Sequence, residues 1–254
     1  MTFEIKGLKS KRDSVYKTPA QKAYAMPPPG NTIFVGMTGS GKTNCAASLL
    51  KEPEMLKDYF DKIHVICMSP CTTLSDHVDE IEEEDFLTED DPEDLVEIYN
   101  TQKAAIKKLG FKRAPHILIV LDDIVQSKNY MNSKVLKEIF FGGTHNKVST
   151  WLLSQNYVSV PRRLRVNCHA LLLFHGSNAT ELDRFQEEFQ TQHMDKKAFR
   201  AKVEHTISEP YSFIFCNRTN PNKKKMFLRN FTYQINLGEG PETPEKTEEK
   251  EGAS

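Results

Sequence analysis

Apolar positions along this chain fall into short blocks that alternate between two periods. TIFVG (Thr32 to Gly36), KIHVICMSP (Lys62 to Pro70), HILIVLDD (His116 to Asp123), VSTWLLSQ (Val148 to Gln155) and HALLLF (His169 to Phe174) are near-continuous runs of aliphatic and branched residues. Such runs predict strands buried on both faces. Between them lie segments with helical spacing: TNCAASLLK (Thr43 to Lys51), a stretch from about Pro92 to Leu109 capped by Asp91 and stopped by Gly110, and SKVLKEIFFGG (Ser133 to Gly143). A short helix opened by Pro161 and the amphipathic segments ATELDRFQEEF and DKKAFRAKVEHTI complete the set. Strand and helix in alternation, with strands apolar on both sides, predict an α/β fold: a mostly parallel central sheet flanked by helices. The end of the chain reads differently, because YSFIFCN (Tyr211 to Asn217), a turn at NPN and MFLRNFTYQI (Met226 to Ile235) predict a β-hairpin at the sheet edge.

These elements occupy residues 31–237, which read as one domain. Residues 1–30 end in AMPPPG, stiffened by consecutive prolines, and read as an arm leading into the core or as an oligomer contact. Residues 238–254 are acidic and read as a disordered tail, regulatory or only solubilising. A composition of 38% hydrophobic and 27% charged residues excludes a disordered or fibrous chain. No apolar run approaches the roughly 20 residues of a membrane helix, and MTFEIKGLKSKRD lacks the apolar centre of a secretory signal. The expectation is a protein with no membrane partner that is not secreted. Five cysteines form no repeated CxxC pair, which predicts reduced core thiols rather than a zinc site.

Net charge is −1, so the chain as a whole is no electrostatic magnet for nucleic acid. Charge is uneven, however: residues 76–94 are strongly acidic, while KKLGFKR (Lys107 to Arg113), PRRLR (Pro161 to Arg165) and NKKKMFLR (Asn222 to Arg229) are basic. Each basic run alone is a solvated face; brought together they would be a phosphate-contacting surface.

The chemistry begins at Gly36-Met37-Thr38-Gly39-Ser40-Gly41-Lys42-Thr43, which fits GxxxxGK[ST] between a strand and a helix. Its glycines let successive backbone N–H groups, through Asn44, face one anion at the positive end of the helix. Lys42 then reaches the β- and γ-phosphates of ATP, and the Thr43 hydroxyl holds Mg²⁺. LIVLDD carries Asp122 and Asp123 to the C-terminal mouth of the sheet. Asp122 suits the outer shell of Mg²⁺, and Asp123 suits orienting or deprotonating the attacking water, with a helix cap or an outer carboxylate as its alternatives. Gln155, at the tip of the next strand, can hydrogen-bond the γ-phosphate or the lytic water; alone it would be polar decoration of a strand end.

In this order, GMTGSGKT, Ser69-Pro70 after the second strand, LIVLDD and WLLSQNYVSVPRRLRVNCHALLLF, the chain resembles the viral genome-packaging ATPases of the FtsK-HerA superfamily, in their poxvirus-type branch. The resemblance covers roughly Thr32 to Phe174 and is strongest in SQNYxxxPxxxRxN. It implies a P-loop NTPase fold and ATP hydrolysis that drives double-stranded DNA into a preformed capsid. It also implies a homo-oligomeric ring, pentamer or hexamer, docked on a capsid or portal vertex in the virion or at the assembly site in the host cytoplasm. Members of that branch often carry Gly-Arg-His before the glutamine strand, its arginine reaching a neighbour's site, where this chain has Gly143-Thr144-His145. The stand-ins are Arg165 first, because it matches RxN, then Arg162, Arg163 and Lys147, each set against a plain surface or DNA-phosphate contact. A helicase or DNA pump of non-packaging role, a nucleoside or nucleotide kinase and a nucleotide-holding module are the competing readings.

Overall fold

The computed structural model describes residues 30–53, 55–68, 72–189, 195–220, 226–235 and 237. The arm, Ser69-Pro70, Cys71, Lys223 to Lys225, most of the NPN turn and the acidic tail lie outside the described residues. Strand β1 (Asn31–Val35) leads through the glycine loop into α1 (Lys42–Lys51), then β2 (Lys62–Cys67), α2 (Thr72–His77), β3 (Phe86–Leu87), α3 (Pro92–Arg113) and β4 (Ile117–Asp122). The second half runs α4 (Lys128–Asn132), α5 (Lys134–Gly142), β5 (Val148–Ser154), α6 (Arg162–Val166), β6 (Ala170–Phe174), α7 (Ala179–Phe189) and α8 (Lys196–Thr206). Strands β7 (Phe213–Asn217), β8 (Phe227–Arg229) and β9 (Tyr233–Gln234) follow.

All nine strands form one sheet in the order β3-β2-β4-β5-β1-β6-β7-β8-β9. Pairing is parallel from β3 through β6 and antiparallel from β6 to β9. The expected edge hairpin is therefore present. The run after Met226 is broken in two, however, where Asn230 (φ 49°) and Phe231 (φ 61°) turn the chain between β8 and β9. The expected stop at Gly110 is also real: its φ of 75° and ψ of 155° interrupt α3, and one further turn follows to Arg113.

Strand burial explains the apolar runs. Along β1, Ile33 and Val35 join one core while Phe34 joins the other, and along β5 Val148 and Leu152 oppose Trp151 and Leu153. The period of two thus feeds two separate cores, and a strand buried on both faces needs no polar alternation. Leu49 and Leu50 of α1 and Leu74 of α2 close one face; Leu95, Ile139, Phe185 and Phe199 from α3, α5, α7 and α8 close the other. Sequence supplies the helix starts: Asp91, Ser133 and Asp195 accept from the N–H of Glu93, Leu136 and Ala198. No helix among the described residues is long and apolar enough to cross a membrane.

Trp151 anchors the α1 face, 1% exposed, with ring centroids 5.3 Å from Phe34 and 6.3 Å from Phe60. Trp151→Ala is expected to cost about 3–5 kcal/mol, read from urea denaturation followed by circular dichroism. A loss under about 1 kcal/mol would mean that this face is not packed as described.

Candidate active site

The glycine loop joins the central strand β1 to α1, and its shape is set by contacts that only glycine permits. A Cβ on Gly36 would stand 2.5 Å from Ser40 Oγ and 2.6 Å from Phe174 Cβ, so the chain can pass under β6 only without a side chain. Gly39 and Gly41 take φ of 78° and 96°, the left-handed region. Ser40 N–H donates to Met37 O at 3.1 Å, and Gly36 N–H donates to Ser154 O at 3.1 Å, which fastens the loop to the tip of β5. Met37, Thr38 and Gly39 form the exposed rim.

Helix α1 begins at Lys42 with Gly41 as its cap residue, no side-chain cap and no acid in its first turn. The N–H groups of Lys42, Thr43 and Asn44 point back toward the loop with no intrahelical acceptor. Lys42 is 7% exposed, and its Nζ donates to Gly36 O at 2.7 Å and Met37 O at 3.2 Å. Burial pushes its pKa below the usual lysine value, opposed by the charges of Asp123 and then Asp122. The Ser40 hydroxyl is buried without a hydrogen-bond partner among the described residues. An uncapped helix start, a buried ammonium and an orphaned hydroxyl in one loop are the groups that a bound polyphosphate would satisfy.

Asp122 ends β4, and Asp123 follows it with φ 55°, a conformation that Asp tolerates better than most residues. Its N–H donates to Leu153 O at 3.1 Å, and its carboxylate accepts from Gln155 Nε2 at 2.6 Å. Lys42, Asp122, Asp123 and Gln155 are thus brought together from three neighbouring strand ends. Thr43 lies half-buried one residue beyond Lys42. The hydroxyl of Thr43 and the carboxylate of Asp122 are hard oxygen donors, which fits Mg²⁺, an ion that keeps several waters and takes one or two carboxylates.

Downstream of Gln155 the structure reassigns residues that the sequence pattern singled out. Arg165 does not reach the phosphate loop or the surface. It is 4% exposed and pairs with Glu188 through Nη2–Oε1 at 2.7 Å and Nε–Oε1 at 3.0 Å, with its guanidinium 4.9 Å from the Tyr157 ring centroid. Another nitrogen donates to Val160 O, and Tyr157 Oη donates to Glu188 Oε2 at 2.5 Å. Lys147 is likewise sealed, 5% exposed, with Nζ donating to Ala114 O at 2.9 Å. Thr144 sits in the turn Gly143–Asn146 that precedes β5, at the opposite end of that strand from Gln155. Arg163 is exposed but donates to Met131 O at 2.8 Å, and Arg162 faces solvent at the start of α6.

Of the three basic runs, the first is grouped with another candidate residue among the described residues. The exposed Lys107, Lys108, Lys112 and Arg113 end α3 beside the Thr144 turn, since Gln102 Nε2 donates at 2.8 Å to both Pro115 O and Asn146 O. Residues that the sequence reading missed tie the glutamine loop to α7. Glu181 accepts from Tyr157 N–H at 2.9 Å and from Asn178 N–H at 3.0 Å, while Asn178 Oδ1 accepts from Glu181 N–H at 3.0 Å. Asn178 and Glu181 have the spacing of a capping box, a signal visible in sequence. Nothing local marked Glu188.

The family model described as Poxvirus A32 protein matches residues 22–203. The uncharacterized protein 015R of Frog virus 3 (isolate Goorha) is 23% identical over 195 residues, 74% of this chain and 56% of that protein, so the chain spans little more than half the length of this curated relative. Among solved structures, the DNA-packaging ATPase B204 from Sulfolobus turreted icosahedral virus is similar at TM-score 0.55 and 14% identity, over 80% of this chain and 98% of that one. The genome packaging NTPase B204 from Sulfolobus turreted icosahedral virus 2, in complex with AMPPCP, gives 0.54 at 14% over 80% and 97%. EssC (ATPases 2 and 3) from Geobacillus thermodenitrificans gives 0.54 at 15% over 84% of this chain and 41% of that one. At these identities the solved structures show a shared fold.

Arg165→Ala leaves Glu188 buried without its cation and is expected to cost about 3–5 kcal/mol in urea denaturation at pH 7. A variant as stable as wild type would mean that the pair is not formed. Burial pushes the Glu188 carboxyl up, but the hydrogen bonds from Arg165 and Tyr157 and the Arg165 charge outweigh it and hold the group below the usual range. A depressed folded-state pKa stabilises fully above the unfolded value, about 4.3, and the benefit is lost as pH falls through the folded one. Glu188→Gln should therefore flatten the loss of stability measured below about pH 4.

Proposed function

The chain belongs to the Poxvirus A32 protein family, and from that premise we propose that it is an ATP-hydrolysing motor that moves double-stranded DNA into a preformed viral capsid. The observation that carries the reading is the 2.6 Å bond between Gln155 and Asp123 beside the buried Lys42. A loop that only held nucleotide would have no use for a carboxylate aimed at a strand-end amide. The packaging role of B204 and its complex with AMPPCP support the same reading by fold likeness.

In this mechanism the loop from Gly36 to Asn44 binds the phosphates through its N–H groups, and Lys42 leaves the loop carbonyls for the β- and γ-phosphate oxygens. Thr43 and Asp122 would hold Mg²⁺, which when bound neutralises charge developing on the transferred phosphoryl group. Asp123 orients the attacking water and takes its proton, and Gln155 fixes the Asp123 carboxylate and senses the γ-phosphate. Motion of Gln155 passes through Tyr157 to Glu181 and Glu188, and so to α7. Residues 31–237 constitute the ATPase domain in this reading, with 1–30 as an arm and 238–254 as an acidic tail.

Subunits assemble as a ring of five or six, and Arg162 replaces Arg165 as the cation offered to a neighbour's phosphates, because it alone of the arginines from 162 to 165 faces solvent without a side-chain hydrogen bond to the described residues. The lysines and Arg113 at the end of α3 contact DNA phosphates, which needs only local charge, not a basic chain. The ring works at a capsid or portal vertex, in the virion or at the assembly site in the infected cell.

The test is ATP hydrolysis by the full chain with and without double-stranded DNA, at low and raised salt, alongside mass measurement of the ATP-bound assembly. DNA is expected to stimulate hydrolysis, less so as salt rises. Asp123→Asn should lower the rate by about 10² or more while keeping nucleotide binding, and Arg162→Ala by about 10³. An oligomer whose rate ignores DNA at low salt would sink the motor; unwinding of a forked duplex would point to a helicase, and phosphate transfer to a nucleoside to a kinase.

A further inference from the structure

Away from the phosphate loop, a cavity of about 520 Å³ lies between α3 and the strands β2 and β3, a volume that holds a small ligand or a few peptide side chains. Strand β3 ends the sheet on that side, so the cavity opens at a sheet edge. Its two walls differ in charge balance. On the sheet wall, the carboxylate of Asp85, 4% exposed, is matched by Lys62 Nζ at 2.6 Å and His64 Nδ1 at 3.0 Å. On the helix wall, Asp94, Glu97 and Thr101 follow one another at helical spacing, with the exposed Glu84 across from them in the lining. Neither Asp94 nor Glu97 has an ion-pair partner among the described residues. Burial and the charges of Asp91, Glu89 and Glu97 push the Asp94 carboxyl above its usual range.

The groups left open in this cavity are acceptors. Burial lowers the His64 pKa and keeps the ring neutral at pH 7, so that Nδ1–H donates to Asp85 and Nε2 is an acceptor without a hydrogen-bond partner among the described residues. Lys62 is held by Asp85 and by Glu82 at 3.2 Å. An ammonium or guanidinium group brings donors and positive charge but no acceptor, which is the complement of this lining. Leu87, Ile98 and Ala105 offer an apolar surface for the aliphatic stem of a lysine or arginine.

The chain itself carries a segment of that chemistry. Residues 1–29, outside the described residues, hold Lys6, Lys9, Lys11, Arg12, Lys17 and Lys22 against only Glu4 and Asp13. They lead into Gly30 at the start of β1. Asn31, Thr150, Ile119 and His64 lie in one row across β1, β5, β4 and β2, which puts that start three strand spacings, about 14 Å, from its own cavity. On this approach Lys112 and Arg113 stand just before Pro115 of the cavity wall. Their charge opposes a basic arm laid along its own subunit, whereas 29 residues extend up to about 95 Å and can cross to a neighbour. We propose that the cavity between α3 and the β2 and β3 edge receives the basic N-terminal arm of a second copy of this chain, with lysine or arginine heads on Asp94, Glu97 and His64 Nε2. The contact rests on the assembly proposed above and needs neither nucleotide nor DNA.

The experiment mixes heavy-isotope and unlabelled full-length chain and treats the mixture with a carbodiimide, which joins an amine to a carboxylate in contact. Mass spectrometry of the digest is expected to find arm lysines linked to Glu84, Asp94 or Glu97 in mixed heavy and light pairs. Sedimentation measures association of the same chains. Glu84→Lys with Glu97→Lys, both at exposed positions, should weaken association about tenfold or more through like-charge repulsion, and so should Lys9→Glu with Lys11→Glu. All four changes together should restore it, which a misfolded variant would not do. Links confined to single-isotope pairs place the arm on its own chain and overturn the proposal, and links from Lys107, Lys108 or Lys112 of another copy give the cavity to the end of α3 instead. Unchanged association in both reversals, or no recovery in the fourfold variant, also overturns it. A wild type that stays monomeric at every concentration would overturn the assembly reading beneath it as well.

Discussion

Strand β5 lies between β1 and β4 and is paired in parallel with both, so that Val35 stands opposite Ser154 and Asp122 opposite Leu153. The candidate site depends on that register. Parallel strands all end at the same edge of the sheet, and neighbours are only about 4.8 Å apart, so a loop, an acid pair and a glutamine from distant segments arrive within reach of one another. Two backbone bonds lock the arrangement: Gly36 and Asp123 each donate to a carbonyl of β5, from Ser154 and Leu153. A slip of one residue in β5 would exchange its two apolar faces as well, so core packing and site geometry enforce the same register.

The far end of the sheet carries a different set of exposed groups. Thr144 and the basic end of α3 share that surface, joined by Gln102. Seven residues of β5 separate this turn from Gln155, a span of about 23 Å at the usual rise. Groups at the two ends of one subunit cannot meet, and a cation on the far side can serve a phosphate site only on another copy. Tyr157 and Arg165, in the crossover from β5 to β6, bond Glu188 of α7 and give the loop after Gln155 a stiff attachment to that helix. A rigid attachment is what allows a small change at a strand tip to move a helix rather than dissipate in a loop.

The loop itself is a compromise between fold and chemistry. Its glycines are demanded by close approach to Phe174 and by positive φ, and the same backbone leaves N–H groups and a hydroxyl without partners among the described residues. Lys42 is held by the carbonyls of Gly36 and Met37 while two carboxylates stand nearby to keep its charge. Burial opposes that charge, and the acids oppose the burial.

Sequence by itself determined strands β1, β2 and β4 to β7, the longer helices and the phosphate loop, because each is written in local chemistry: long apolar runs, Asp91, Ser133 and Asp195 as caps, glycines at fixed spacing; the two-residue β3, the short α2 and α4 and the break between β8 and β9 carry no such signal. Gly110 ended a helix where its text said, and LIVLDD and Gln155 fell at strand ends because polar residues follow apolar runs there. What sequence could not express is which neighbour each side chain finds. Arg165 and Arg162 stand three residues apart in one basic run, yet one is sealed against Glu188, 23 residues downstream, and the other faces water. Tyr211 looked like the start of an ordinary edge strand, and only the packing of β7 against β6 set it beside Gly41. Burial and long-range pairing are properties of the assembled sheet, so tertiary structure alone decided which charges are scaffold, which are free to act, and where beside α3 a cavity opens.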